Sequence, residues 1–88
     1  RDAPTEMKPN LKEMFEHGPP SSVFVMNQGA GKGRHGWLYR FAAFACRDGH
    51  TLSMVVPWLL DLDNRFTHKF YTNGKPQHDQ LYQLQKLA

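Results

Sequence analysis

The sequence has almost no cysteine. Cys46 stands alone among 88 residues, so no disulfide can staple the chain and no cysteine zinc site can form. It reads as a small buried hydrophobe, not a nucleophile. The histidines, His17, His35, His50, His68 and His78, never recur at the close spacing of metal ligands. No metal and no cofactor is expected, and no Ser/His/Asp or Cys/His set can be placed as catalytic. No apolar run is long enough to span a membrane and no signal peptide is visible. No membrane partner is therefore expected, and a reducing, cytoplasmic compartment is the default. Internal repeats and low-complexity tracts are also missing. The opening Arg1-Asp2-Ala3 lacks Met, which suggests a segment of a longer protein or a processed product.

What is present suits one small domain over residues 1–88, with a core that can be only marginally stabilising. Hydrophobic residues make up 40% and charged residues 22%, a balance that excludes a disordered chain. Eleven Lys and Arg against eight acids give a net charge of +3, a mild bias towards a polyanionic partner.

The apolar spacing predicts an all-α fold, a small bundle of about four helices. Residues 1–8 form a polar lead-in. Pro9 suits a helix start, and Leu11, Met14 and Phe15 mark an amphipathic helix over 9–17. Residues 19–33 form a loop; within it Val23-Phe24-Val25-Met26 is compatible with a short strand. A second helix is expected over 34–48, burying Leu38, Phe41, Ala42 and Ala45 with Trp37 and Phe44 alongside, and stopping at Gly49. A third helix is expected over 52–66. Leu52, Val55, Val56, Leu59 and Leu60 follow the helical stripe, and Pro57 kinks the helix if Thr51 is the cap but does little harm if Ser53 is. Residues 67–74 connect to a last helix over 76–88, started by Pro76, with Leu81, Leu84 and Leu87 inward. The predicted common core is Leu38, Phe41, Ala45, Val55, Val56, Leu59, Leu60, Leu81 and Leu84.

Between the first two helices lies a glycine-rich basic loop, Gly31-Lys32-Gly33-Arg34-His35-Gly36. Gly31-x-Gly33-x-x-Gly36 fits the dinucleotide fingerprint literally. Pro57 interrupts the next apolar run, however, and no acid stands at the offset that the ribose contact requires. A Walker loop fits less well, because Gly33 follows Lys32 where Ser or Thr is needed. The plainer alternative makes the glycines a tight connection only. That leaves Lys32, Arg34 and His35 unexplained. Positive side chains crowd a helix N-terminus whose dipole is already positive, an arrangement that a bound phosphate relieves. Arg40 and Arg47, seven residues apart, extend the same basic surface along the helix. Tyr39, Phe70 and Tyr71 can stack on a base wherever they are exposed.

Asp61-Leu62-Asp63 resembles a paired-carboxylate metal site if it lies in a strand. In a helix the two carboxylates diverge by about 200°. The preceding periodicity favours the helix, and hence solvated acids near a helix end.

Taken in order, these motifs resemble the helical-bundle domain found C-terminal to the catalytic core in archaeo-eukaryotic-type primases and primase-polymerases of plasmids, phages and related elements. The similarity is carried by Pro9-Asn10-Leu11-Lys12-Glu13-Met14 ending at Gly18, and by Gly33-Arg34-His35 entering Trp37-Leu38-Tyr39-Arg40-Phe41-Ala42. It continues through the break at Gly49 and the leucine-rich run ending Asn64-Arg65-Phe66, then the last helix from Pro76 to Leu81. His35 stands where the family carries Asn, and residues 23–30 are longer than its pattern needs. The resemblance implies an accessory domain for DNA replication that contacts single-stranded DNA template or the phosphates of initiating nucleotides. The catalytic primase domain of the same protein would be its partner, and this chain would not itself be an enzyme. The expected nucleic-acid-binding residues are Lys32, Arg34, His35, Arg40 and Arg47. Two alternatives are a nucleotide-binding or metal-dependent enzyme fragment using the Gly31–Gly36 loop or Asp61 and Asp63, and a phage or plasmid protein–protein adaptor.

Overall fold

The computed structural model describes residues 3–25 and 32–88. Among them the fold is mostly helical. Its elements are α1 (Pro9–His17), a 3-10 turn (Ser21–Phe24), α2 (Arg34–Arg47), α3 (Leu52–Leu62), a π-turn (Asp63–Thr67), β1 (Tyr71–Thr72), β2 (Lys75–Pro76) and α4 (Gln80–Gln85). Helix α3 packs on both α2 and α4, and α1 packs on α2. The core forms where these faces meet: Leu11 and Phe15 from α1, Leu38, Phe41, Ala42 and Ala45 from α2, Val55, Leu59 and Leu62 from α3, and Leu84 from α4.

The polar lead-in contributes to the core. Met7 is buried in the core, Ala3 packs against it, and the Ala3 N–H donates to Glu16 at 3.0 Å. The run at 23–25 is not a strand: Val23 and Phe24 belong to the 3-10 turn, with Val23 buried. Met26 to Gly31 lie outside the described residues. Cys46 is exposed, not buried, because the inward stripe of α2 runs through Ala42 and Ala45 and turns position 46 to solvent.

Thr51 is the N-cap of α3, which puts Pro57 in the helix interior. Its ring removes the amide that would have reached the Ser53 carbonyl. Pro57 is exposed, and the helix continues through it. Val56 and Leu60 are half-buried, not central. The predicted helix over 52–66 changes character at Asp63. Asp63–Thr67 wind as a π-turn closed by His68 N–H to Asp63 C=O at 2.9 Å, and His68 ends it in the left-handed region with φ 48°.

The last helix does not start at Pro76. Asn73 and Gly74 both have positive φ, 53° and 77°. This conformation is the one that joins two antiparallel strands through a two-residue turn. Thr72 faces Lys75 and Tyr71 faces Pro76, and Gln77 N–H donates to Phe70 C=O at 2.9 Å. Pro76 therefore occupies the non-hydrogen-bonded pair of the ribbon, where its missing N–H costs nothing. Helix α4 begins only after Asp79. Gln80 and Leu84, one turn apart, take its inward side, so Leu81 and Tyr82 face outward, 49% and 61% exposed, while Leu84 and Leu87 stay in the core.

Gly18 closes α1 with φ +74°, and a Cβ there would sit 2.6 Å from the Phe66 ring. Both backbone and space demand glycine. Among the described residues no helix is long and apolar enough to cross a membrane.

Candidate nucleic-acid interface

Helix α2 forms because apolar residues repeat at helical spacing and buried Trp37, Leu38, Phe41 and Ala42 pull one side against the core. What remains outward is polar and basic. His35, Tyr39, Arg40, Ala43 and Arg47 are all exposed. On a helix they fall into adjoining rows, His35–Tyr39–Ala43 and Arg40–Ala43–Arg47, which meet at Ala43. The small side chain there leaves room between Tyr39 and the arginines. The helix contains three arginines and no Asp or Glu. Arg47 lies with its guanidinium carbon 4.9 Å from the Phe44 ring centroid, which steadies it without using its hydrogen-bond donors. The nearest acid along the chain, Asp48, faces Lys8 at 4.0 Å.

Lys32 is exposed beside Gly33, the N-cap of α2, whose carbonyl accepts from Trp37 N–H at 3.0 Å. Gly33 has φ −90°, and among the described residues a Cβ would find only the Val23 carbonyl oxygen at 3.9 Å. Neither that φ nor a described neighbour requires glycine at that position. The dinucleotide fingerprint also lacks its frame: among the described residues the strands are the two short antiparallel ones, with no strand–helix–strand unit. Gly31 lies outside the described residues.

Arg34 has a second occupation that sequence reasoning missed. Its Nη1 donates to the Thr67 and His68 carbonyls at 2.9 and 3.0 Å. These are the open carbonyls at the end of the π-turn, so Arg34 caps that turn and ties the start of α2 to the β ribbon. Replacing it would disturb the fold together with any phosphate contact. Of the five expected site residues, His35, Arg40 and Arg47 thus share the outward side of α2, Lys32 precedes it, and Arg34 lies half-buried at its root. The exposure of Tyr39, 55%, was left open by the sequence.

The Asp pair is neither solvated nor shared. Asp61 receives Arg65 Nε and Nη2, each at 2.7 Å. Asp63 is fully buried. Its carboxylate accepts from the Thr67 hydroxyl, from Lys69 N–H at 2.6 Å, from Phe70 N–H at 3.0 Å and from Gln80 Nε2 at 2.9 Å. Gln80 Nε2 also donates to Asn64 Oδ1 at 2.8 Å. A metal at Asp63 would have to displace protein donors that already use its lone pairs. Among the described residues no three His, Cys, Asp or Glu side chains gather as a metal-holding group.

Arg65, from the Asn64-Arg65-Phe66 run, is likewise structural. It lies between the rings of Phe15 and Phe66, 4.6 and 4.7 Å from their centroids, and Nη2 donates to the Phe15 carbonyl at 2.9 Å. It pins the end of α1 to the π-turn. A fork-shaped cation with several donors suits this position, where a lysine would not.

No protein-family model, no curated protein and no solved structure matches the chain. The functional reading therefore stands on this geometry and on the sequence resemblance.

Proposed function

We propose that this chain is a single-stranded nucleic-acid-binding accessory domain, and that the outward side of α2 is its contact surface. The supporting observation is the composition of that side: His35, Tyr39, Arg40 and Arg47 exposed on a helix without an acidic residue. Basic side chains neutralise backbone phosphates, and an aromatic ring among them accepts a base by stacking. Lys32 continues the charge around the helix start. The resemblance to primase helical bundles supplies the biological setting: a domain that holds template DNA or initiating nucleotides beside a catalytic domain of the same protein. On this reading the chain is not by itself an enzyme.

Fluorescence anisotropy with a short labelled single-stranded oligonucleotide, across a salt series, tests it. Binding should weaken steeply with salt. Arg40→Ala and Arg47→Ala should each reduce the log–log salt slope by about 0.7, the value for one lost phosphate contact on a single strand. If wild type fails to bind, or both variants match it at every salt concentration, the reading fails. The adaptor reading has its own observation, a mainly apolar groove of about 420 Å³ lined by Leu52, Ser53, Val56, Pro57 and Gln85. It would gain ground from that failure.

A further inference from the structure

Residues 64–78, Asn-Arg-Phe-Thr-His-Lys-Phe-Tyr-Thr-Asn-Gly-Lys-Pro-Gln-His, contain no Asp or Glu. Acids return only at Asp79. Within this stretch His68 and Lys69, which lead from the π-turn into the ribbon, and Lys75 of β2 are exposed, and Tyr71 of β1 is half-buried. The His68 and Tyr71 rings stack, with centroids 5.1 Å apart and planes 29° from parallel. Each ring is fixed by its own hydrogen bond. His68 Nε2–H donates to the Asn64 carbonyl at 2.9 Å, and Tyr71 O–H donates to the Gly74 carbonyl at 2.8 Å. Neither ring contributes to the hydrophobic core. The ribbon is also not remote from the start of α2, because Arg34 holds the Thr67 and His68 carbonyls.

We infer that the ribbon carries a second nucleic-acid contact: a stacking platform made by His68 and Tyr71, flanked by the phosphate-binding ammonium groups of Lys69 and Lys75. This rests on the nucleic-acid reading of α2 and extends it to a strand that passes from the helix across Arg34 to the ribbon. Three physical points favour a single strand as the occupant. Aromatic rings offered to solvent accept unpaired bases, which a duplex keeps stacked internally. The charged side chains that this stretch exposes, Lys69 and Lys75, are cationic and match phosphate, whereas the Asp63 carboxylate beneath it is buried. Both rings are already oriented, so little side-chain freedom is lost when a base arrives.

The test uses the whole chain and two fluorescent probes of equal length: oligo(dT) and an abasic oligonucleotide that keeps the phosphates but lacks bases. His68→Gly removes one ring at a position whose φ of 48° glycine accepts readily. Tyr71→Leu removes the other ring, and Tyr71→Phe retains it without the hydroxyl. Circular dichroism melts identify any variant that has lost the fold. His68→Gly and Tyr71→Leu should weaken oligo(dT) binding roughly 5- to 100-fold, the cost of losing one stacked base. The same two variants should leave abasic binding unchanged, and Tyr71→Phe should bind like wild type. Lys69→Ala and Lys75→Ala should lower the salt slope on both probes by about 0.7 each. If the ribbon variants bind both probes like wild type while Arg40→Ala weakens them, the platform is wrong and the α2 surface stands. If wild type binds neither probe, both readings fall.

Discussion

The donors that hold the Asp63 carboxylate are all neutral: a hydroxyl, two backbone N–H groups and a side-chain amide. Its position in the interior is tolerable because the lone pairs are satisfied. Among the described residues no buried side-chain nitrogen or oxygen lacks a partner. Asp63→Asn exchanges one acceptor oxygen for an NH2 group that faces other donors. The substitution should cost about 2–3 kcal/mol, and for a domain of this size the melting temperature should fall by about 10 °C or more. A melt within a degree or two of wild type would mean that the carboxylate is not the hub of the π-turn. Glycine gives a paired prediction. Gly18 and Gly49 both have positive φ, but an added Cβ meets the Phe66 ring at Gly18 and none of the described residues within 4 Å at Gly49. Gly49→Ala should lose only the backbone share, about 1 kcal/mol. Gly18→Ala should lose clearly more, because Phe66 must also move off Arg65. Urea midpoints for the two variants test the ordering, and equal losses would contradict it.

Elements differ in how far the sequence betrays them. Helices α1 and α2 were readable because their apolar residues repeat at helical spacing and Pro9, Gly18 and Gly49 punctuate them. The end of α3 was not readable in that way, since the π-turn stops at Thr67 and too few residues follow Leu62 for a shifted stripe to show. What decides it is a carboxylate finding donors six, seven and seventeen residues downstream. The β ribbon did have a signal, the Asn73-Gly74 pair, which is strong turn chemistry. Its helical reading came from giving Pro76 the role of a helix start, a role that Pro9 does fill. Leu81 then followed the wrong helix boundary into the predicted core. On the functional side, the charge of α2 was legible, whereas the tie from Arg34 to Thr67 and His68 spans more than thirty residues and has no local pattern. Helix α3 offers a prediction at this scale. Pro57 is exposed inside it and breaks one backbone hydrogen bond. Pro57→Ala restores that bond and should raise stability by about 1–3 kcal/mol in a denaturant titration. No gain would mean that α3 has already adapted to the ring.

At the scale of the molecule, Leu59 has no exposed surface and belongs to the helix that packs on both α2 and α4. The apolar interior holds the helices, while Arg65 and Asp63 hold the turn that follows them. Those two side chains belong to the fold and are separate from the proposed binding surface. In the proposed binding mode the exposed basic side chains of α2 and of the ribbon would meet the ligand, with Arg34 joining the two elements. The measurement to make is an amide chemical-shift titration of the labelled chain with single-stranded oligo(dT) at low salt. The largest shifts should fall on the exposed residues of α2, from His35 through Tyr39 and Arg40 to Arg47, and should shrink as salt is added. Shifts confined to the groove beside Leu52, Val56 and Gln85, or no shifts at all, would contradict a nucleic-acid-binding role for α2.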